Sequence, residues 1–137
     1  MSRAIFGEAM LAAARSERDY RQANYPRRIA DGRSAAEEAT ADYQAWVAIA
    51  EWLETGRFTS FDGGTDFGTR IDWPFLEAAA EKALTAIDAR LEQSPSAERQ
   101  LRRDRLFIIH RAIARQRALI DGINQQLRAQ PARKAAA

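Results

Sequence analysis

The chain has 137 residues, enough for one domain with a true core and too few for several. It has no cysteine, which excludes disulfides, a thiolate nucleophile and cysteine-ligated metal, and which suits a reducing cytosol. The net charge of +2 argues against a dedicated nucleic-acid binder, which is usually basic overall, and 29 alanines point to helices.

The charge is unevenly spread. Residues 1–33 carry seven basic and four acidic side chains, residues 34–92 four and twelve, and residues 93–137 ten and three. A folded bundle that lays the acidic middle beside the basic ends accounts for this pattern. A basic surface for nucleic acid or for an acidic partner is the sharper alternative. All basic residues except Lys82 and Lys134 are arginine, the side chain suited to bidentate pairing. No apolar run approaches the roughly 20 residues that span a bilayer, and Glu8, Glu17 and Asp19 interrupt any signal-peptide reading of the start. A cytoplasmic protein without a membrane partner is expected.

Helix one is predicted from about Arg3 to Asn24, with Ser2 as N-cap. Ile5, Ala9, Ala12, Ser16, Tyr20 and Ala23 share one face, which predicts the buried stripe, Phe6, Met10 and Ala13 widen it, and Arg15, Arg18 and Arg21 point elsewhere. Pro26 then breaks or kinks the helix near Tyr25. The segment "PRRIAD" adds a turn or two before Gly32 ends them in a left-handed cap. Ser34 and Glu37 have capping-box spacing, so helix two is expected from about Ala35 to Glu54. Its seam reads Ala39, Tyr43, Trp46, Ala50, Leu53, with Trp52 away from it and Thr55 and Gly56 closing the helix.

Composition changes at residue 51, where alanine disappears until Ala78. The aromatic and glycine-rich stretch 57–73 reads as a long loop, or as a short hairpin turning at "DGG". Helix three begins at Pro74 with Asp72 as cap and a stripe of Leu76, Ala80, Ala83, Ile87 and Leu91. Helix four is expected over residues 95–129, opened by Pro95. Leu106, Ile109, Ile113, Gln116, Ile120, Ile123 and Leu127 alternate spacings of three and four along it. Ile108, Ala112 and Leu119 form a second row, and Gly122 is a point where so long a helix could bend. Residues 131–137 read as a disordered tail. The expected fold is an all-α single domain over residues 1–130, four main helices in a bundle with antiparallel coiled-coil-like packing and one irregular loop at 57–73.

Catalytic chemistry finds little support. His110 is the one histidine, and on the helix-four wheel it falls among arginines, the ordinary place of a solvated side chain. "DFG" at 66–68 lacks every other kinase element, and Asp62 and Asp66 lack the further ligands of a calcium loop. No phosphate loop or dinucleotide fingerprint occurs. No enzyme activity, metal or cofactor is expected. Two surfaces remain. Trp52, Phe58, Phe61, Phe67 and Trp73 either bury themselves as a satellite core or anchor a partner protein, since aromatics dominate binding hot spots. Arg99, Arg103, His110, Arg117 and Arg128 lie opposite the apolar rows of helix four and would be the phosphate-contacting face of a nucleic-acid binder.

Tyr25, Pro26, Ile29, Gly32, Arg33, Glu37, Glu38 and Ala39, set between two helices, carry a resemblance. The first 55 residues resemble small helical proteins encoded by phages and prophages of proteobacteria. Those show Tyr-Pro, an aliphatic residue three further on, Gly-Arg or Gly-Lys, and an acidic helix start. The chain departs from them at Ala35, where threonine is frequent. The resemblance implies a mobile-element context and action by binding a host protein. A non-enzymatic, stoichiometric binder of a host protein, such as a defence component, is therefore the expected function. The alternative is a nucleic-acid-binding accessory factor, and the regular seam of helix four also predicts a homodimer.

Overall fold

The computed structural model describes residues 7–56 and 72–136, with side chains through residue 129. Four helices follow one another: α1 (Glu8–Ala30), α2 (Ala36–Thr55), α3 (Trp73–Gln93) and α4 (Ala97–Ala136). No strand occurs among the described residues, and none of the helices is long and apolar enough to cross a membrane. The fold is an all-α bundle. Helix α1 packs along α2 and α3 along α4, and the two hairpins join through α2–α3 and α1–α4.

The ion pairs give the register. Arg15–Glu54 and Arg21–Asp42 tie α1 to α2, and Arg103–Asp88 and Arg117–Glu77 tie α4 to α3. In each hairpin one residue number rises as the other falls, so both hairpins are antiparallel. Each of these pairs joins an arginine of a basic end to a carboxylate of the acidic middle. The uneven charge distribution is therefore a feature of helix pairing.

Helix α1 differs from expectation at both its joint and its buried face. It runs unbroken through Pro26 to Ala30. The proline removes one amide donor, to the Gln22 carbonyl. Arg21 and Tyr25, just before that break, are both fastened to Asp42 of α2, which holds the turn in helical register. The buried side chains are Met10, Leu11, Ala14, Glu17 and Arg21, whereas Ala9, Ala12, Ser16 and Tyr20 are exposed. Of the expected stripe, Met10 and Ala13 on its widened edge do reach the core, and its centre lies about one residue out of phase, because the true buried face contains two charged groups. Ser2 lies outside the described residues.

The α1–α2 turn closes as Gly32 predicts. Gly32 has φ +71°, its amide donates to the Ile29 carbonyl, and the Arg33 amide donates to the Arg28 carbonyl. This double bond pattern is the Schellman closure. The Ser34 amide also donates to Arg28, so Ser34 belongs to the end of α1. The N-cap of α2 is Ala35, without a side-chain cap, and the expected Ser34–Glu37 box does not form. The box fails because Ser34 precedes the N-cap by one residue. The other end of α2 is as expected, with Gly56 at φ +73° after Thr55.

Helix α3 starts at Trp73, one residue before the expected Pro74, and Asp72 caps it by accepting from the Phe75 amide at 3.0 Å. Helix α4 starts at Ala97, where Ser96 Oγ accepts from the Arg99 amide. Its backbone stays helical through Gly122 and on to Ala136, so residues 131–136, expected as a tail, continue the helix. At 1.5 Å per residue its 40 residues span about 60 Å, nearly twice the length of α3. Seam residues Leu106, Ile109, Ile113 and Ile120 are buried against the shared core of Trp46, Ile49, Leu53 and Ile87. Leu127, on the same seam beyond the start of α3, is 43 % exposed.

Candidate functional site

At the end of the bundle where α1 and α3 finish and α2 and α4 begin, four charged side chains form a chain of contacts. Arg21 Nε donates to Asp42 Oδ2 at 2.6 Å, and Arg21 Nη1 donates to Glu17 Oε1 at 3.0 Å. Arg102 of α4 grips the same Glu17 with both prongs, Nε to Oε2 at 2.7 Å and Nη2 to Oε1 at 2.8 Å. The Tyr25 hydroxyl donates to Asp42. The Arg21 guanidinium also lies 4.9 Å over the ring of the fully buried Trp46. Glu17, Arg21 and Asp42 are all buried, so the network links three helices in a low-dielectric setting where an unpaired charge would be costly.

The titration of these groups follows from that setting. Burial alone would push the Glu17 carboxyl up, but the hydrogen bonds and charge of Arg102, then of Arg21, hold it below the ordinary carboxylate value. Burial would lower Arg21, but Asp42 and then Glu17 outweigh it and raise it further. Burial, and next the hydrogen bond to Asp42, push the Tyr25 phenol up to about 12.

Above this network is an open cavity of about 210 Å³ lined by all four helices. Asp42, Arg21 and Tyr25 lie on its wall, and Arg28, Lys82 and Arg90 add three further cations. Hydrophobic periodicity could not find this site. The available signal was Glu17 and Arg21 at i and i+4 in the first helix, a spacing equally common on solvated faces.

The residues singled out from sequence fare differently. Trp52 and Trp73 are both buried, and their rings meet edge to face at 5.3 Å and 81° within the main core. The burial alternative therefore holds for these two, in the main core and not in a satellite, and their reading as exposed partner anchors is corrected. They join the end of α2 to the start of α3, and Trp52, though off the expected seam, faces α3. Phe58, Phe61 and Phe67 lie outside the described residues.

The basic set of α4 is largely engaged. Arg103 pairs with Asp88 at 3.1 Å and lies 5.1 Å over the Phe107 ring. Arg117 pairs with Glu77 at 2.9 Å, and Arg99 Nη1 donates to the Ser94 carbonyl. Arg128 is exposed. His110 is half-buried, with Nε2 shielded and without a hydrogen-bond partner, so the expected solvated side chain is not found. Arg103 and Arg117 thus lie on the flank of α4 beside α3, held by its acids Asp88 and Glu77.

The second row of α4 divides: Ala112 is buried, whereas Ile108 and Leu119 are 46 % and 57 % exposed, as is Leu101 further up the helix at 50 %. Steps of seven and eleven residues return to one helix face, so the three share one flank of α4 with the buried Ala112, and Leu101 borders Ala13, Ser16 and Tyr20 of α1. Comparison with protein-family models, curated proteins and solved structures returns no match, so function is read from the chemistry of this chain.

Proposed function

We infer that this chain is a non-enzymatic binding protein of phage or prophage type, acting in the cytoplasm and stoichiometrically on a host protein by covering part of its surface. The observation that carries this reading is the exposure of Leu101, Ile108 and Leu119 on one flank of α4. Large apolar side chains aligned on a helix face are how a helical protein offers a surface to another protein. The aromatic pair Trp52 and Trp73 is committed to the core, which shifts the contact surface to α4. The resemblance of the first helix–turn–helix joint to phage-encoded proteins supplies the context.

The test is capture from host lysate followed by reconstitution with the purified partner. Ile108→Glu with Leu119→Glu should abolish a one-to-one complex while leaving the circular dichroism unchanged. Val47→Glu, at another exposed apolar position, should retain it. If light scattering instead shows a dimer that these α4 charges dissolve, the row serves self-association. The nucleic-acid alternative has less support, because Arg103 and Arg117 already hold Asp88 and Glu77. Nuclease-sensitive capture, with binding that weakens steeply in salt, would revive it.

A further inference from the structure

We propose that the cavity at the end of the bundle where α1 and α3 finish binds a small phosphate-bearing dianion, either inorganic phosphate or a compact phosphate monoester. This goes beyond the protein-binding reading and stands on a different part of the molecule. Of the charges on the cavity wall, Arg21 and Arg102 are balanced by Asp42 and Glu17. Arg28, Lys82 and Arg90 face no carboxylate partner among the described residues, and Glu38 is the one acid on the lining outside the network. Three cations against one carboxylate leave an excess of two positive charges around an opening of about 210 Å³. A phosphate monoester carries close to two negative charges at neutral pH.

The wall also offers directed donors. Arg21 spends Nε and Nη1 on Asp42 and Glu17, and among the described residues no hydrogen bond engages its Nη2. Because Arg21 is buried and pinned on two sides, its guanidinium is preorganised and gives up little side-chain freedom when it meets an anion. Arg28 rests 5.8 Å over the Tyr25 ring, which holds its stem near the opening. Lys82 and Arg90 come from α3 and Arg28 from α1, so the cations approach from two sides. A compact anion suits cations gathered around one opening better than a nucleic-acid strand does, whose phosphates need a linear track.

The experiment uses the full chain, with calorimetric titration and thermal melting in the presence of inorganic phosphate, adenosine monophosphate, or chloride at matched ionic strength. Saturable binding and a raised melting temperature are expected with at least one phosphate probe and not with chloride. Inorganic phosphate binding as tightly as the monoester would make the free ion the ligand, and a tighter monoester would make the organic phosphate the ligand. Lys82→Gln with Arg90→Gln should weaken binding by about tenfold or more. Arg111→Gln with Arg115→Gln, an equal charge change at exposed sites elsewhere on α4, should leave it intact. Absence of saturation with both phosphate probes would overturn the proposal. So would equal loss of binding in the two double variants, which would mark a diffuse charge effect.

Discussion

Asp42 is the residue that ties together the end of the bundle where α1 and α3 finish. It accepts from Arg21 and from Tyr25 at the same oxygen, and all three lie in or against the core. Asp42→Ala takes from a buried guanidinium one of its two carboxylate partners, and from Tyr25 its acceptor, and is expected to cost about 3 kcal/mol in denaturant unfolding. Glu54→Ala removes the other α1–α2 ion pair, whose side chains are 42 % and 34 % exposed. That change should cost less than about 1 kcal/mol, so the two variants separate buried pairing from surface pairing. Tyr25 supplies a second check. Its folded-state value of about 12 lies above the unfolded value of 10.0. The folded state therefore holds the proton more tightly, and the resulting stability is complete below pH 10 and is lost as pH rises towards 12. Absorbance titration at alkaline pH should show one late tyrosine step that is missing in Tyr25→Phe.

At the scale of elements, glycine acts with opposite sign at two positions. Gly32 ends α1 at φ +71°, where a side chain is strained although a Cβ would meet no neighbour. Gly122 sits inside α4, where a Cβ would also meet open space. Gly32→Ala should therefore lower stability by about 1 kcal/mol, and Gly122→Ala should raise it by a similar amount. Paired melting curves would read both. The same contrast explains what was legible in the sequence. Gly32, Gly56 and Asp72 act through local rules, and those rules correctly placed three helix ends. Ser34 obeyed a local rule too, but the closure of α1 had already claimed its amide. The break expected at Pro26 does not occur because the restraint on Tyr25 and Arg21 comes from Asp42, some 20 residues further along. The buried face of α1 was missed for a related reason. A periodicity of apolar residues cannot register Glu17 and Arg21, whose burial depends on an arginine that is 85 residues away from Glu17 in sequence.

For the molecule as a whole, Glu17 is the joint between the two hairpins, since Arg21 holds it from α1 and Arg102 from α4. Its folded-state value is depressed below the ordinary 4.5. The unfolded chain thus takes up a proton first as pH falls, and the stability present above pH 4.5 is lost below it. The melting temperature should drop as pH falls below about 4.5, and Glu17→Gln, less stable at neutral pH, should show a shallower drop. All-α architecture and the pairing of acidic with basic segments could be inferred from the 137 letters, but the polar site could not. The edge-to-face contact of Trp52 with Trp73 bears on the same joint. One indole belongs to the first hairpin and the other to the second, so their electronic transitions couple only while the halves are docked. The protein thus contains an intrinsic optical gauge of its own assembly, readable in the near-ultraviolet without any attached dye.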